Sequence, residues 1–332
     1  MILTHPTMRL RRRFPVLLGL LIFLAALAVV VELRKHAPPE PARLLPGADG
    51  YIYANLSWMR HVDIAKHLPP VPHDAEYEQF IQATGFQFER DLDKVAVAIH
   101  YASPATHTET RFSWIFVAHL DGDKLREYLK KLASSVENHR SVDIYSIPLE
   151  NRTLRIAVLG VDIVAASNYD DPAIIRGIVD RSRKIASPFG GPALLRQFYK
   201  YVPQLPLPSL GFAIFKLNAS PSAALNSPFP FAGPATVVSS VRYLGEVHFR
   251  AEAFTENERA AEQLTSQAGA FIQMFHSAEL AAGSQTPDPD FKHAMQSMKI
   301  EQKKDRAVLS AIIPLELIRK MVAEAPAQLS PK

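Results

Sequence analysis

The chain contains no cysteine. That excludes a disulfide framework, a thiolate metal site, a cysteine nucleophile and lipid attachment to an N-terminal cysteine. Net charge is also scarce once its placement is read. Seven of the 37 basic residues and two of the 33 acidic ones fall in residues 1–43, which leaves 30 against 31 in the remainder. A near-neutral body lacks the electrostatic footprint of a nucleic-acid binder, so no nucleic-acid partner is expected. Missing as well are a G-x-S-x-G elbow, a P-loop and a dinucleotide fingerprint. No cofactor is implied and no catalytic residue is assigned.

What the sequence does have is a long apolar run, Phe14 to Val31, without a charged residue. As a helix it measures about 27 Å, close to a bilayer's hydrocarbon thickness. Phe14, Leu17, Leu21, Phe23 and Val31 are expected to face lipid. Arg9, Arg11, Arg12 and Arg13 precede the run, and this basic flank places the N-terminus in the cytoplasm with the rest of the chain outside it. Pro15 falls in the first turn, where a missing N–H is harmless. A cleaved export signal is the competing reading, because Ala26-Leu27-Ala28 fits a small-x-small site; Val29-Val30-Val31 continue the run where a polar stretch belongs. The expected location is therefore the inner membrane, single-pass, with a periplasmic or extracellular body.

The expected organisation is a basic tail over 1–13, a membrane helix over 14–31 and a Pro-rich spacer over 32–46. An α+β repeat over 47–203, a second over 204–325 and a short tail over 326–332 follow. His36 to Pro46 reads as a semi-extended spacer that holds the body off the lipid. Strands are predicted at 51–56, 95–101, 112–120, 142–147, 154–159 and 161–166 in the first repeat. In 112–120 both sets of alternating side chains are apolar, as in a strand covered on both faces. Asp74, Asp121 and Asp171-Pro172 are expected to start helices, and Gly85 to end the first of them. A further helix is placed near 193–202. The second repeat offers strands at 211–217, 236–243, 246–254, 298–302 and 307–313. It also offers a Thr255–Glu258 capping box, a polar loop over 283–290 and a terminal helix after Pro314. Glu246, His248, Arg250 and Glu252 alternate with apolar residues, as on a sheet with one wet face. The fold class expected is α+β: antiparallel hairpins with helices packed on one face, used twice.

The first half resembles a bacterial family of membrane-tethered proteins catalogued as a domain of unknown function. The resemblance rests on Leu45-Pro46 before a strand, Asp91-Leu92-Asp93-Lys94-Val95-Ala96-Val97 leading a second, and the strand and helix of Phe112–Ala133. It continues through Val142-Asp143-Ile144-Tyr145 and the Ile156–Ser167 hairpin, covering roughly residues 44–180. It implies an extracytoplasmic α+β body and carries no residue roles.

His61, His67 and His73 recur every six residues, which matches neither one helix face nor a tight turn, so surface histidines are expected rather than metal ligands. His107 and Glu109, with His100 and His119, would converge only through the hairpin joining 95–101 to 112–120, whose tip is polar. Asp121 and Asp123 read as a helix cap, and Asp288 with Asp290 offers too few oxygens for calcium. The uncharged loop Ser220–Pro234 carries Leu225, Phe229 and Phe231. These form either an interaction patch or a cover for one end of a sheet. The expected function is a non-catalytic binding or scaffold module with a protein partner in the envelope. The alternative is an extracytoplasmic hydrolase or metal-dependent enzyme whose site is assembled from distant loops.

Overall fold

The computed structural model describes residues 37–61, 73–102, 109–183, 190–204, 209–217, 234–281 and 288–324. The apolar run with its arginine flank and the Leu225–Phe231 patch lie outside them. Among the described residues no helix is long and apolar enough to cross a membrane.

The chain is mixed α+β, built on one antiparallel sheet of 12 strands in the order β11-β12-β10-β9-β8-β1-β2-β3-β7-β6-β5-β4. At its middle β1 (Gly50–Asn55) pairs with β8 (Gly211–Leu217). Outward from β1 lie β2 (Leu92–His100), β3 (Arg111–Ala118), β7 (Ile163–Ser167), β6 (Arg152–Val158), β5 (Val142–Leu149) and β4 (Ser135–His139). Outward from β8 lie β9 (Ala235–Tyr243), β10 (Val247–Phe254), β12 (Arg306–Ile313) and β11 (Lys299–Lys303). Each side thus runs strand, hairpin, then the last strand of a later hairpin folded back beside the first. The β1·β8 junction is tight: a Cβ on Gly211 would meet the Tyr53 carbonyl oxygen at 2.8 Å.

Strand alternation gives the sheet two apolar faces, and helices cover both, not one as the sequence suggested. On the first face Tyr51, Tyr53, Ala96, Ala98, Ile115 and Ile214 pack under α6 (Ala173–Arg183) and α7 (Ala193–Phe198). Ile175, Ile178 and Val179 of α6 are buried here; each such side chain is worth about 1.5–3 kcal/mol of transfer free energy. On the other face α5 (Gly122–Leu132) lays Leu125 and Leu129 on Tyr145, Ile156 and Val158. Neighbouring strand positions belong to different cores: Ile144 lies in the first and Tyr145 in the second. At the far end α8 (Glu258–Ala281) brings Gly269 beside Ile300.

The spacer reading fails over residues 38–46. Glu40–Leu44 is a short helix, α1, whose Pro41, Ala42 and Leu44 are buried. Leu45 joins the main core, and the Tyr51 hydroxyl donates to the Pro46 carbonyl at 2.8 Å. Prolines suggested extension, but the apolar residues between them have a core to enter.

Among the elements that the sequence reading missed, two escaped for opposite reasons. The edge strand β4 has no buried side chain and hence no apolar alternation. Helix α9 (Pro289–Ser297) stands partly where a polar loop was expected, capped by Asp288 with proline behind it. That is the same Asp-Pro signature as at Asp171. Two local readings also change. Asn257 rather than Thr255 caps α8, accepting from the Ala260 amide at 3.0 Å. The supposed wet face of β10 hides Glu252, which is buried and paired with Arg250 and Arg306, the latter lying against the rings of Tyr201 and Phe254.

Candidate functional site: an aromatic cavity under a short helical arm

The arm is made of α3 (Ala75–Thr84) and α4 (Phe88–Asp91), which lead directly into β2. Its start and stop follow the sequence. The Asp74 carboxylate accepts from the Tyr77 amide at 2.7 Å, and Gly85 ends α3 in the left-handed region at φ 74°. Asp91 then closes the next turn by accepting from the Gln87 amide at 2.9 Å. Arg90 donates both to Asp91 and to the Gly85 carbonyl, tying the two helices together.

Beneath the arm the rings of Phe80, Phe86, Phe88 and Phe116 gather on the sheet. Phe86 and Phe88 meet edge to face at 5.0 Å, and Phe80 stacks on Phe88 at 5.9 Å. Tyr128 of α5 closes on Phe80 at 5.5 Å. The four phenylalanine rings, with Leu125 and Leu129, line a half-open cavity of about 150 Å³. Its lining is apolar and its volume suffices for a ring the size of benzene. The polar groups at its wall are already engaged. The Thr84 hydroxyl donates to the Phe80 carbonyl at 2.7 Å and accepts from the Phe86 amide at 3.2 Å. Asp121 caps α5 through the amides of Asp123 and Lys124. A guest would therefore be held by apolar contact and shape alone.

Outside the arm sits a charged latch. His73 holds Glu78 of α3 through Nδ1 and Glu89 of α4 through Nε2, each at 2.7 Å. The Tyr77 hydroxyl donates to the other Glu89 oxygen at 2.7 Å and accepts from the Phe88 amide at 2.8 Å. The hydrogen bonds to Glu78 and Glu89 raise the His73 pKa above its ordinary value. Burial opposes ionisation of Glu89, but Tyr77, its own backbone amide and His73 outweigh it and hold the carboxyl below the usual range. Burial, then the bond to Glu89, pushes Tyr77 up to about 12.

The remaining residues singled out in the sequence are dispersed. The side chain of His61, His67 and His107 lie outside the described residues. His100 is buried, 3.4 Å from the Ser113 hydroxyl, which in turn bonds Ser167 at 2.9 Å. Ser113 is 0% exposed, so this pair is a strut between β2, β3 and β7 and offers no reachable nucleophile. Glu109 pairs with Arg111 and Arg152. His119 stands at the opposite end of the hairpin from His100, 80% exposed and 3.3 Å from Asp93. The hairpin thus carries His119 away from His100 and Glu109. Asp288 and Asp290 hold Lys320 at 2.6 and 2.8 Å, a clip between α9 and α10 (Leu315–Glu324). Among the described residues no group of three or more His, Asp or Glu is placed to hold a metal ion.

Sequence reasoning bounded α3 by Asp74 and Gly85 but passed over Phe86, Phe88 and the cavity. The available signal was local density: three phenylalanines within nine residues, at 80, 86 and 88, beside a capped helix.

No protein-family model matches the chain, and no curated protein matches it. Among solved structures it is similar to crystal form III of TP0453, with TM-score 0.47 and 9% identity, covering 86% of this chain and 99% of that one. Crystal form IV of TP0453 gives TM-score 0.46 at 9% identity, with coverage of 86% and 98%.

Proposed function

We propose that the chain is a membrane-anchored extracytoplasmic binding protein without catalytic activity, and that the cavity under α3–α4 receives an apolar group of its ligand. The observation that carries this reading is the cavity wall: clustered phenylalanine and leucine side chains, with the adjoining hydroxyl and carboxylate already committed to backbone amides and carbonyls. A partner offering an alkyl end or an aromatic ring would suit it; one offering only polar groups would lose hydrogen bonds to water on entry. The anchor rests on Phe14–Val31 and its arginine flank, and the resemblance over residues 44–180 agrees with an envelope location. A near-neutral body supports recognition by contact rather than by electrostatic capture.

Two measurements test it. Benzene added to the purified chain should raise its melting temperature and shift the methyl resonances of Leu125 and Leu129. Ala118→Leu, which fills the cavity from β3, should abolish both effects. Unchanged methyl resonances at saturating benzene would remove the binding reading. A periplasmic-active reporter fused after Lys332 should be active in intact cells, and one active only in the cytosol would remove the location.

A further inference from the structure

On the other side of α5 from the phenylalanine cavity lies a second cavity, of about 310 Å³. Its character is the reverse of the first. Arg126 on α5 and Arg183 at the end of α6 line it, with Asp143 and Tyr145 of β5 and Ser141 of the β4–β5 turn. Arg183 has no ion pair among the described residues; its Nη2 donates only to the Ser141 carbonyl, at 3.4 Å. Arg126 pairs with Asp123 at 2.9 Å, an exposed contact that yields readily to a better anion. One Asp143 oxygen accepts from the Asn138 amide at 2.7 Å, which fixes the carboxylate and leaves its other oxygen without a partner among the described residues. Asp143 and Tyr145, two positions apart on β5, lie on the same face of that strand and line the cavity together with Arg126.

The turn that delivers Ser141 is held against its own preference. Arg140 and Ser141 adopt φ 51° and 61°, a pair of left-handed positions that hairpins usually fill with Asn-Gly. His139 and Arg140 both bind Asp180 of α6, at 2.9 and 2.5 Å, and this clamp keeps the turn closed over the cavity. Strain maintained by dedicated ion pairs at a cavity mouth is characteristic of a binding site.

We propose that this cavity binds a small phosphate monoester that also carries a hydroxyl group: the two guanidinium groups take the phosphate, and Asp143 accepts from the hydroxyl. Two planar guanidinium groups from different helices suit a dianion whose oxygens can each receive paired N–H donors. An acidic side chain fixed in the same cavity disfavours a bare anion and favours one with a neighbouring donor. The proposal is independent of the apolar cavity, which α5 separates from it.

The test is a titration of the full-length chain, in detergent, with glycerol 3-phosphate and with inorganic phosphate. Glycerol 3-phosphate should saturate and shift the amides of Ser141, Asp143 and Gly160. Arg126→Gln and Arg183→Gln, both at solvent-accessible positions, should keep the native circular dichroism and each weaken binding about tenfold. Asp143→Asn should weaken glycerol 3-phosphate and leave inorganic phosphate unchanged or tighter. Phosphatidic acid vesicles carry the same phosphomonoester in a bilayer. Amide shifts with vesicles as well as with the soluble ester would identify a lipid headgroup as the source, and shifts with the soluble ester alone a free metabolite. No saturation with glycerol 3-phosphate, or equal affinity in wild type and both arginine variants, overturns the proposal.

Discussion

Arg306 on β12 donates through Nη1 to the Glu252 carboxylate on β10 at 3.0 Å, while its guanidinium lies 5.4 Å from the centre of the Tyr201 ring. Arg250 takes the other Glu252 oxygen at 2.7 Å. A buried carboxylate is thus shared by two arginines, one of which, Arg306, lies against the rings of Tyr201 and Phe254. Removing it leaves two cations without their shared partner. Because both arginines keep some contact with water, the expected loss for Glu252→Gln is about 2 kcal/mol rather than the larger figure for a fully buried pair. Urea unfolding measures it, and a change within about 0.5 kcal/mol would place the cluster with ordinary surface pairs.

The His73 latch gives the arm a pH dependence of definite sign. Its folded pKa is raised above the unfolded value, so the stabilisation is fully present below the unfolded pKa and is lost as pH rises through the folded one. Glu89 works in the opposite sense: its folded pKa is lowered, and its contribution is present above the unfolded carboxylate pKa and lost as pH falls through the folded one. The arm is therefore held best between the two, in mildly acidic solution. Hydrogen exchange at the Gly85 and Phe88 amides, compared at about pH 6 and about pH 8.5, should show faster opening at the higher value once corrected for intrinsic rates. His73→Gln should flatten the difference. A wild-type profile as flat as the variant's would dismiss the latch.

Leu45 decides whether residues 38–46 belong to the core. It is 1% exposed and packs in the main cluster. Leu45→Ala should cost about 3 kcal/mol if this packing holds, against about 0.5 kcal/mol or less for a solvated spacer residue. Chemical denaturation of the two proteins side by side separates these values.

Gly211→Ala probes the join between β1 and β8. The added methyl would sit 2.8 Å from the Tyr53 carbonyl oxygen, closer than atoms tolerate, and the obstacle is backbone. A loss of about 1–3 kcal/mol is expected, with the melting temperature falling accordingly. A variant as stable as the wild type would mean the two central strands can part without penalty.

Much of the body was legible without coordinates where local chemistry was unambiguous. Asp74, Asp121 and Gly85 ended or began helices as their side chains or backbone freedom require. Strands β8 to β10 and β12 stood within a residue or so of their alternating apolar runs. The double apolar alternation of β3 correctly implied cover on both sides, although the expectation of helices on one face contradicted it. Strand β4 escaped because an edge strand that buries nothing has no period to detect.

The two cavities were not legible at all. Phe88 and Phe116 lie 28 positions apart in sequence, and nothing local brings their rings within 6.5 Å. Arg126 and Arg183 come to line one cavity only when α5 and α6 settle on the sheet.

By itself the sequence determined the cysteine-free chemistry, the near-neutral body and most element boundaries, because each depends on residue type or short-range spacing. The expectation of a membrane anchor also comes from the sequence alone. Tertiary structure alone decided that both halves build one sheet, that Leu45 and Glu252 are buried, and which side chains enclose space. Those outcomes depend on long-range pairing and on which face each helix finds, and neither is written in any single stretch of chain.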